Sequence, residues 1–197
     1  AYVMDIRFEK REHLQEKPDQ KNLGFGKHFT DYMFVMDWDK EQGWHDAAIV
    51  PYGGIPMDPA TMVLHYAQET FEGLKAYTTE DGHIVTFRPD LNGERMENSA
   101  RRLEMPVFEK SRFVDAIEQV VKANAAYVPP YGSGATLYIR PYMFGINSVI
   151  GVKPAEEYQF RAFCTPVGPY FKGGAKPLTI KVSDFDRAAP PGTGNIK

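Results

Sequence analysis

The most constraining feature of this chain is a change of period at Pro129-Pro130. Before it, Phe113, Ile117, Val120 and Val121 fall three and four residues apart, the apolar stripe of a helix expected over about Ser111–Tyr127 and ended by the two prolines. After it, Thr136–Phe144 and Glu157–Thr165 alternate with period two, as paired strands with one buried face do. A helix burying one stripe and a sheet burying one face satisfy each other by packing together, so the fold class read here is α+β.

The upstream segment fits the same architecture. Residues 1–24 are charged; the alternation of Tyr2, Met4, Ile6 and Phe8 suits a short strand or, preferably, an extended arm. Thr30–Trp38 is a β-prone run, and Ile49–Pro56 reads as a short strand and turn. Asp58 as a cap, with Pro59 at the first helical position, predicts a helix whose apolar face carries Val63, Leu64, Ala67, Phe71 and Leu74. Ala76–Tyr77 and Ile84–Phe87 flank Thr79-Glu80-Asp81-Gly82, a β-hairpin signature. Asp90 is expected to cap a helix running through Leu103 and stopping before Pro106. The Pro/Gly-rich stretch 166–176 reads as a linker, Pro177–Val182 as the first strand of a new unit, and 187–197 as a loop. The expected organisation is therefore a small domain over 1–165, a linker over 166–176, and the beginning of a second domain over 177–197.

Several function classes lose weight on absences. The net charge is −3 with 23 Lys+Arg interspersed among 26 Asp+Glu, so there is no basic stripe for nucleic acid. No apolar run approaches the roughly 18 residues of a membrane span. Five histidines lie 15 to 20 residues apart beside a single cysteine, Cys164, which argues against a metal site and against an internal disulfide, and fits a cytoplasmic protein. Gly24-Phe25-Gly26-Lys27-His28 lacks the Ser or Thr of a phosphate loop and the third Gly of a dinucleotide fingerprint, and Gly132-Ser133-Gly134 lacks the spacing of a nucleophile elbow.

Three patterns keep chemical interest. Arg95, early on an expected helix, can hold a phosphate with its planar fork, although a solvated helix Arg is the commoner case. Tyr138 and Arg140 share one face of a strand and can receive a carboxylate, although an edge pair facing water is again commoner. Gly192-Thr193-Gly194-Asn195-Ile196-Lys197 is a glycine-rich turn ending in Lys.

Taken in order, these pieces resemble the branched-chain amino acid aminotransferases, pyridoxal-phosphate enzymes of fold type IV. The resemblance is carried by Gly24-Phe25-Gly26 with Phe29-Thr30-Asp31; by Leu64-His65-Tyr66-Ala67 and Phe71-Glu72-Gly73-Leu74-Lys75-Ala76-Tyr77; and by Phe87-Arg88-Pro89 leading to Asn92, Arg95-Met96 and Ser99-Ala100. It continues through Leu103-Glu104-Met105-Pro106, Leu137-Tyr138-Ile139-Arg140-Pro141, Pro166-Val167-Gly168-Pro169-Tyr170-Phe171, Arg187-Ala188, and Gly192-Thr193-Gly194 with Lys197. It implies a small N-terminal α/β domain followed by the start of a larger α/β-barrel-like domain. It also implies transfer of the amino group of leucine, isoleucine or valine to 2-oxoglutarate through pyridoxal 5'-phosphate. The other readings held open are a D-amino acid aminotransferase or aminodeoxychorismate lyase of the same fold, and a non-catalytic truncated module.

The resemblance also implies residue roles. Lys197 is matched to the lysine that bonds the cofactor aldehyde and carries the proton, Arg95 to the phosphate grip, and Tyr170 to a ring near the cofactor. Phe25, Phe71 and Tyr138 wall an apolar substrate pocket, with Arg140 favouring the extra carboxylate of glutamate. Tyr66, Ile150 and Val152 are matched to residues that a partner subunit contributes, which implies a homodimer. Pro191 departs from the Gly common at its position. The family's chain continues past Lys197 into the large domain, so a segment of a longer polypeptide is expected.

Overall fold

A computed structural model of the chain describes residues 3–171, 173–174, 176–185, 188 and 192–197. Among them run β1 (Arg7–Phe8), β2 (Tyr32–Asp39), β3 (Gly43–Pro51), α1 (Met62–Tyr66), β4 (Glu69–Phe71), β5 (Leu74–Thr78) and β6 (Ile84–Thr86). Helices α2 (Pro89–Arg102) and α3 (Lys110–Ala123), a 3-10 turn at Ala125–Tyr127, and the long strands β7 (Thr136–Gly145) and β8 (Glu157–Val167) follow. The strands form one sheet in the order β1-β3-β2-β8-β7-β5-β6, with β4 paired to β7 beside β5. All pairings are antiparallel except β1 with β3.

Side-chain alternation sorts the sheet into two faces. Phe34, Met36, Leu137, Ile139, Met143, Tyr158, Phe160 and Cys164 point into the core under α2 and α3. There Phe113, Ile117 and Val120 of the expected helical stripe are fully buried. Phe108 stacks on Phe160 with ring centroids 3.8 Å apart and planes 9° from parallel. Each such Phe contributes about 1.5–3 kcal/mol by leaving water. Asn124, at the end of α3, clips that helix to β2: its amide donates to Tyr32 O (2.9 Å) and accepts from Tyr32 N (3.0 Å).

The seam that positions the site lies at Pro141, in the middle of β7. Proline has no N–H for a ladder, so its neighbour is interrupted there. Residues 69–71 pair with 142–144, residues 74–76 pair with 137–139, and Glu72-Gly73 lie between. The Pro141 carbonyl still accepts, from Glu72 N at 2.8 Å.

The structure corrects several expectations. The helix expected from Asp58 through Leu74 is only α1. Thr61 precedes it, and Ala67, in the left-handed region at φ 50, ends it. Phe71 and Leu74 belong to β4 and β5, because the free edge of β7 captures them. Asp58 instead caps a turn, accepting from Ala60 N at 2.7 Å. Asp90 is not the cap of α2; Arg88 precedes the helix at φ 46, without a side-chain capping bond, and its Nη2 pairs with Asp90 at 3.2 Å. β3 begins at Gly43, six residues before the expected strand. β8 runs on through Pro166 and Val167, into the stretch read as linker. Residues 177–182 form no strand: Leu178, Ile180 and Val182 are exposed, with no strand beside them among the described residues to complete a ladder. The hairpin β5–β6 and the long pair β7–β8 are as expected.

Candidate active site

Gly24 and Gly26 both adopt positive φ (62° and 65°), which a side chain would resist. Together they turn Phe25 outward, and Gly168 N donates to Gly24 O at 2.9 Å to hold the turn against the end of β8. The Phe25 ring meets Tyr138 edge-on at 5.4 Å. Tyr138 and Arg140 share the face of β7 turned away from the helices, and Arg140 Nη2 donates to the Tyr138 hydroxyl at 2.8 Å. The Arg140 guanidinium lies 4.5 Å from the centroid of Phe71, and Lys197 Nζ lies 5.3 Å from the same ring. Phe71 is thus a shared wall between two cations. Arg140 Nε is buried without a hydrogen-bond partner among the described residues, a donor with capacity to spare.

Lys197 is held by its backbone. Its N–H donates to Ser99 Oγ (3.1 Å), and its carbonyl accepts from the Thr70 hydroxyl and from Phe71 N (3.4 Å). Arg102 Nη2 donates to Gly192 O (3.2 Å), which ties the same loop to α2. Between this loop and β4 opens a cavity of about 710 Å³, lined by Ala67, Glu69, Phe71, Leu103, Thr193 and Lys197 among others. That size suits a small ligand.

Arg95 stands one helical turn before Ser99, roughly 6 Å along the axis of α2. Its Nε and Nη2 donate to Glu72 Oε1 and Oε2, both at 2.6 Å. The Glu72 side chain is 0 % exposed and that of Arg95 is 51 % exposed. The Glu72 carboxylate holds the Arg95 guanidinium above its already high ordinary value, against the opposing effect of partial burial. Asn92 adds a bond to Glu72 Oε2 at 2.9 Å.

The structure therefore brings Phe25, Phe71, Tyr138, Arg140 and Lys197 into one cluster, with Arg95 next to it. It does not bring in Tyr170, which is 79 % exposed and packs on Phe171 at 4.9 Å. Tyr66 ends α1 at the rim of the core, 6.2 Å from the His65 ring. Ile150 and Val152 stand out on the loop after β7, exposed by 72 % and 92 %. Arg187 and Pro191 lie outside the described residues. Sequence reasoning assigned no role to Glu72, Asn92, Ser99 or Thr70. The spacing Asn92-x-x-Arg95-x-x-x-Ser99 puts three residues on one helix face and was the available signal. Among the described residues there is no cluster able to hold a metal ion, and no helix long and apolar enough to cross a membrane.

No protein-family model matches the chain. Among curated proteins it is 49% identical over 177 residues to a probable branched-chain-amino-acid aminotransferase of Streptomyces coelicolor, covering 89% of this chain and 49% of that protein. It is 48% identical over 179 residues to the branched-chain-amino-acid aminotransferase of Haemophilus influenzae, covering 91% of this chain and 52% of that protein. Among solved structures it is similar to the branched-chain amino acid aminotransferase of Escherichia coli, with 25% identity and a TM-score of 0.56 over 82% of this chain and 48% of that one. The chain spans about half the length of the curated relatives it matches.

Proposed function

We propose, from the premise that this chain belongs to the branched-chain-amino-acid aminotransferase family, that it carries one wall of a pyridoxal-phosphate transaminase site for leucine, isoleucine and valine. The observation that carries the reading is that Lys197 and Phe71 line one cavity, that Arg140 packs on the same Phe71 ring, and that Arg95 stands a helical turn from Ser99, which holds Lys197. The residues suit the cofactor: a lysine amine beside a cavity of about 710 Å³, and a half-exposed guanidinium for a phosphate. When bound, the cofactor supplies an electron sink that loosens the bonds at the substrate α-carbon.

The chain's own residues supply the rest. Lys197 Nζ would be the amine that holds the cofactor through its aldehyde, and the base that would move a proton at the substrate α-carbon. The hydroxyls of Ser99 and Thr70 hold its backbone still while the side chain moves. Phe25, Phe71 and Tyr138 offer an apolar and aromatic wall to a branched side chain, and Arg140 beside the Tyr138 hydroxyl offers a cation to the second carboxylate of glutamate or 2-oxoglutarate. Tyr170 belongs to the proposal as a ring near the cofactor. Its exposure on this chain is compatible with cover from elsewhere in a longer protein.

The same reading divides the chain into a small domain over 1–165, a linker over 166–176 and the beginning of a large domain over 177–197. It also proposes a homodimer, in which Tyr66, Ile150 and Val152 reach the partner's site; the exposure of Ile150 and Val152 supports this. A cytoplasmic setting is part of the proposal, supported by a lone cysteine that is buried and free.

The test is chemical. The full chain is incubated with pyridoxal 5'-phosphate, reduced with borohydride, digested and mapped. The pyridoxyl adduct is expected on Lys197; an adduct on Lys75 or another lysine overturns the assignment. Turnover of L-leucine above that of D-alanine and of aminodeoxychorismate is expected to accompany it, and the reverse order would move the protein elsewhere within the fold.

A further inference from the structure

If Arg95 grips the cofactor phosphate, as the proposed function has it, two of its three guanidinium nitrogens are already engaged. Nε and Nη2 both point at the Glu72 carboxylate, which is fully buried while Arg95 is half open. The carboxylate therefore lies on the protein side of the guanidinium rather than in the site. A buried carboxylate persists only when it is paired and hydrogen-bonded. Here Oε2 also accepts from Asn92 Nδ2 at 2.9 Å, and the same amide donates to Gly73 O at 3.3 Å. The Glu72 backbone is fixed in turn, because its N–H donates to Pro141 O at 2.8 Å across the seam in the sheet. Arg95, Glu72, Asn92 and the 72–73 backbone form a closed lock with the Arg95 guanidinium on its open side. A two-point fork fixes the plane of a guanidinium as well as its place. It leaves Nη1 and the second Nη2 hydrogen as the outward edge.

We infer that Glu72 is a positioning residue for phosphate capture: it orients Arg95 so that this outward edge meets the phosphate of pyridoxal 5'-phosphate. The inference rests on the proposed function. Charge by itself argues the other way, since Glu72 partly neutralises Arg95 and repels an anion. Orientation argues for it, because a long side chain ordered during folding does not have to be ordered again on binding. The two effects have opposite signs, so one experiment separates them.

Binding of pyridoxal 5'-phosphate and of pyridoxal, which lacks the phosphate, is measured by absorbance on the full chain and on Glu72→Gln and Glu72→Asp. The first substitution removes the charge and one acceptor of the fork; the second keeps the charge and withdraws the carboxylate by one methylene. Both variants are expected to bind pyridoxal 5'-phosphate about tenfold more weakly and pyridoxal within about twofold of the parent, the scale on which loss of a supporting hydrogen-bond partner loosens a bound group. A merely structural role would weaken both ligands alike, and that outcome overturns the inference. So does a Glu72→Gln chain that binds pyridoxal 5'-phosphate as tightly as the parent or more tightly. A parent chain that does not distinguish the two ligands overturns the proposed function and the inference together. A preference for the phosphate ester that is as large in both variants as in the parent overturns the inference alone.

Discussion

Gly73 sits where the sheet breaks, and a single methyl group there tests the geometry of the whole cluster. A Cβ on Gly73 would lie 2.3 Å from the Tyr138 hydroxyl oxygen and 3.1 Å from its Cζ. Ordinary contact needs about 3.4 Å, so in Gly73→Ala the Tyr138 ring must retreat by about 1 Å. That ring also receives the 2.8 Å bond from Arg140 and carries the edge contact with Phe25. Overpacking of this kind costs about 1–3 kcal/mol. At roughly 2–4 °C per kcal/mol for a chain of this size, that is about 2–12 °C in Tm. If the cluster is the substrate wall, a shift of about 1 Å also costs on the order of a hundredfold in kcat/KM. The double variant isolates the cause. Tyr138→Phe removes the clashing oxygen, so Gly73→Ala/Tyr138→Phe should be more stable than the two single losses added together, by about 1 kcal/mol or more. Calorimetry or urea unfolding of the four proteins gives the coupling directly. Strictly additive losses would mean that the methyl group finds room without moving Tyr138, and the account of a tight seam would be wrong.

Two further measurements address the rest of the molecule. Near the start of β3, both ring nitrogens of His45 face carboxylates, Nδ1 at 2.8 Å from Asp46 and Nε2 at 2.9 Å from Asp39. Only the imidazolium can donate to both, so Asp46 and then Asp39 raise His45 above its usual 6.5, against an opposing desolvation effect. The stabilisation is therefore fully present below 6.5 and is lost as pH rises through the raised folded value. Between about pH 6 and about pH 8 the parent chain should lose more unfolding free energy than His45→Gln, and equal losses would refute the pairing. Burial pushes the Cys164 thiol up to about 12. A thiol reagent should leave the native chain unmodified and react once it is unfolded in denaturant; labelling as fast as that of a free thiol would contradict the core position of β8.

Much of the fold was legible because local period and burial coincide. The stripe Phe113, Ile117, Val120 and the alternations of β7 and β8 are each satisfied by one neighbouring layer, so local pattern and packing agree. The pair Tyr138–Arg140 was legible for the same reason, since strand alternation fixes a shared face whatever the tertiary context. The helix read over Asp58–Leu74 shows where that logic stops. The apolar spacing of Val63, Ala67, Phe71 and Leu74 suits a helix. However, the open edge of β7 offers backbone hydrogen bonds to residues 69–71 and 74–76, and the chain turns at Ala67 to take them. Capping went the same way: Asp58 and Asp90 are good cap residues, but their side chains serve a turn and an ion pair instead.

By itself, the sequence determined the class of fold, the strand that carries Tyr138 and Arg140, and the ordered motifs shared with aminotransferases, because side-chain period and residue identity are properties of the chain. Only the tertiary structure decided that Arg95 is turned by a buried Glu72, and that Lys197 is held by hydroxyls from β4 and α2. Those bonds join residues 23 to 127 positions apart. Contacts over such separations form only after a sheet has brought its strands together, and no local pattern records them.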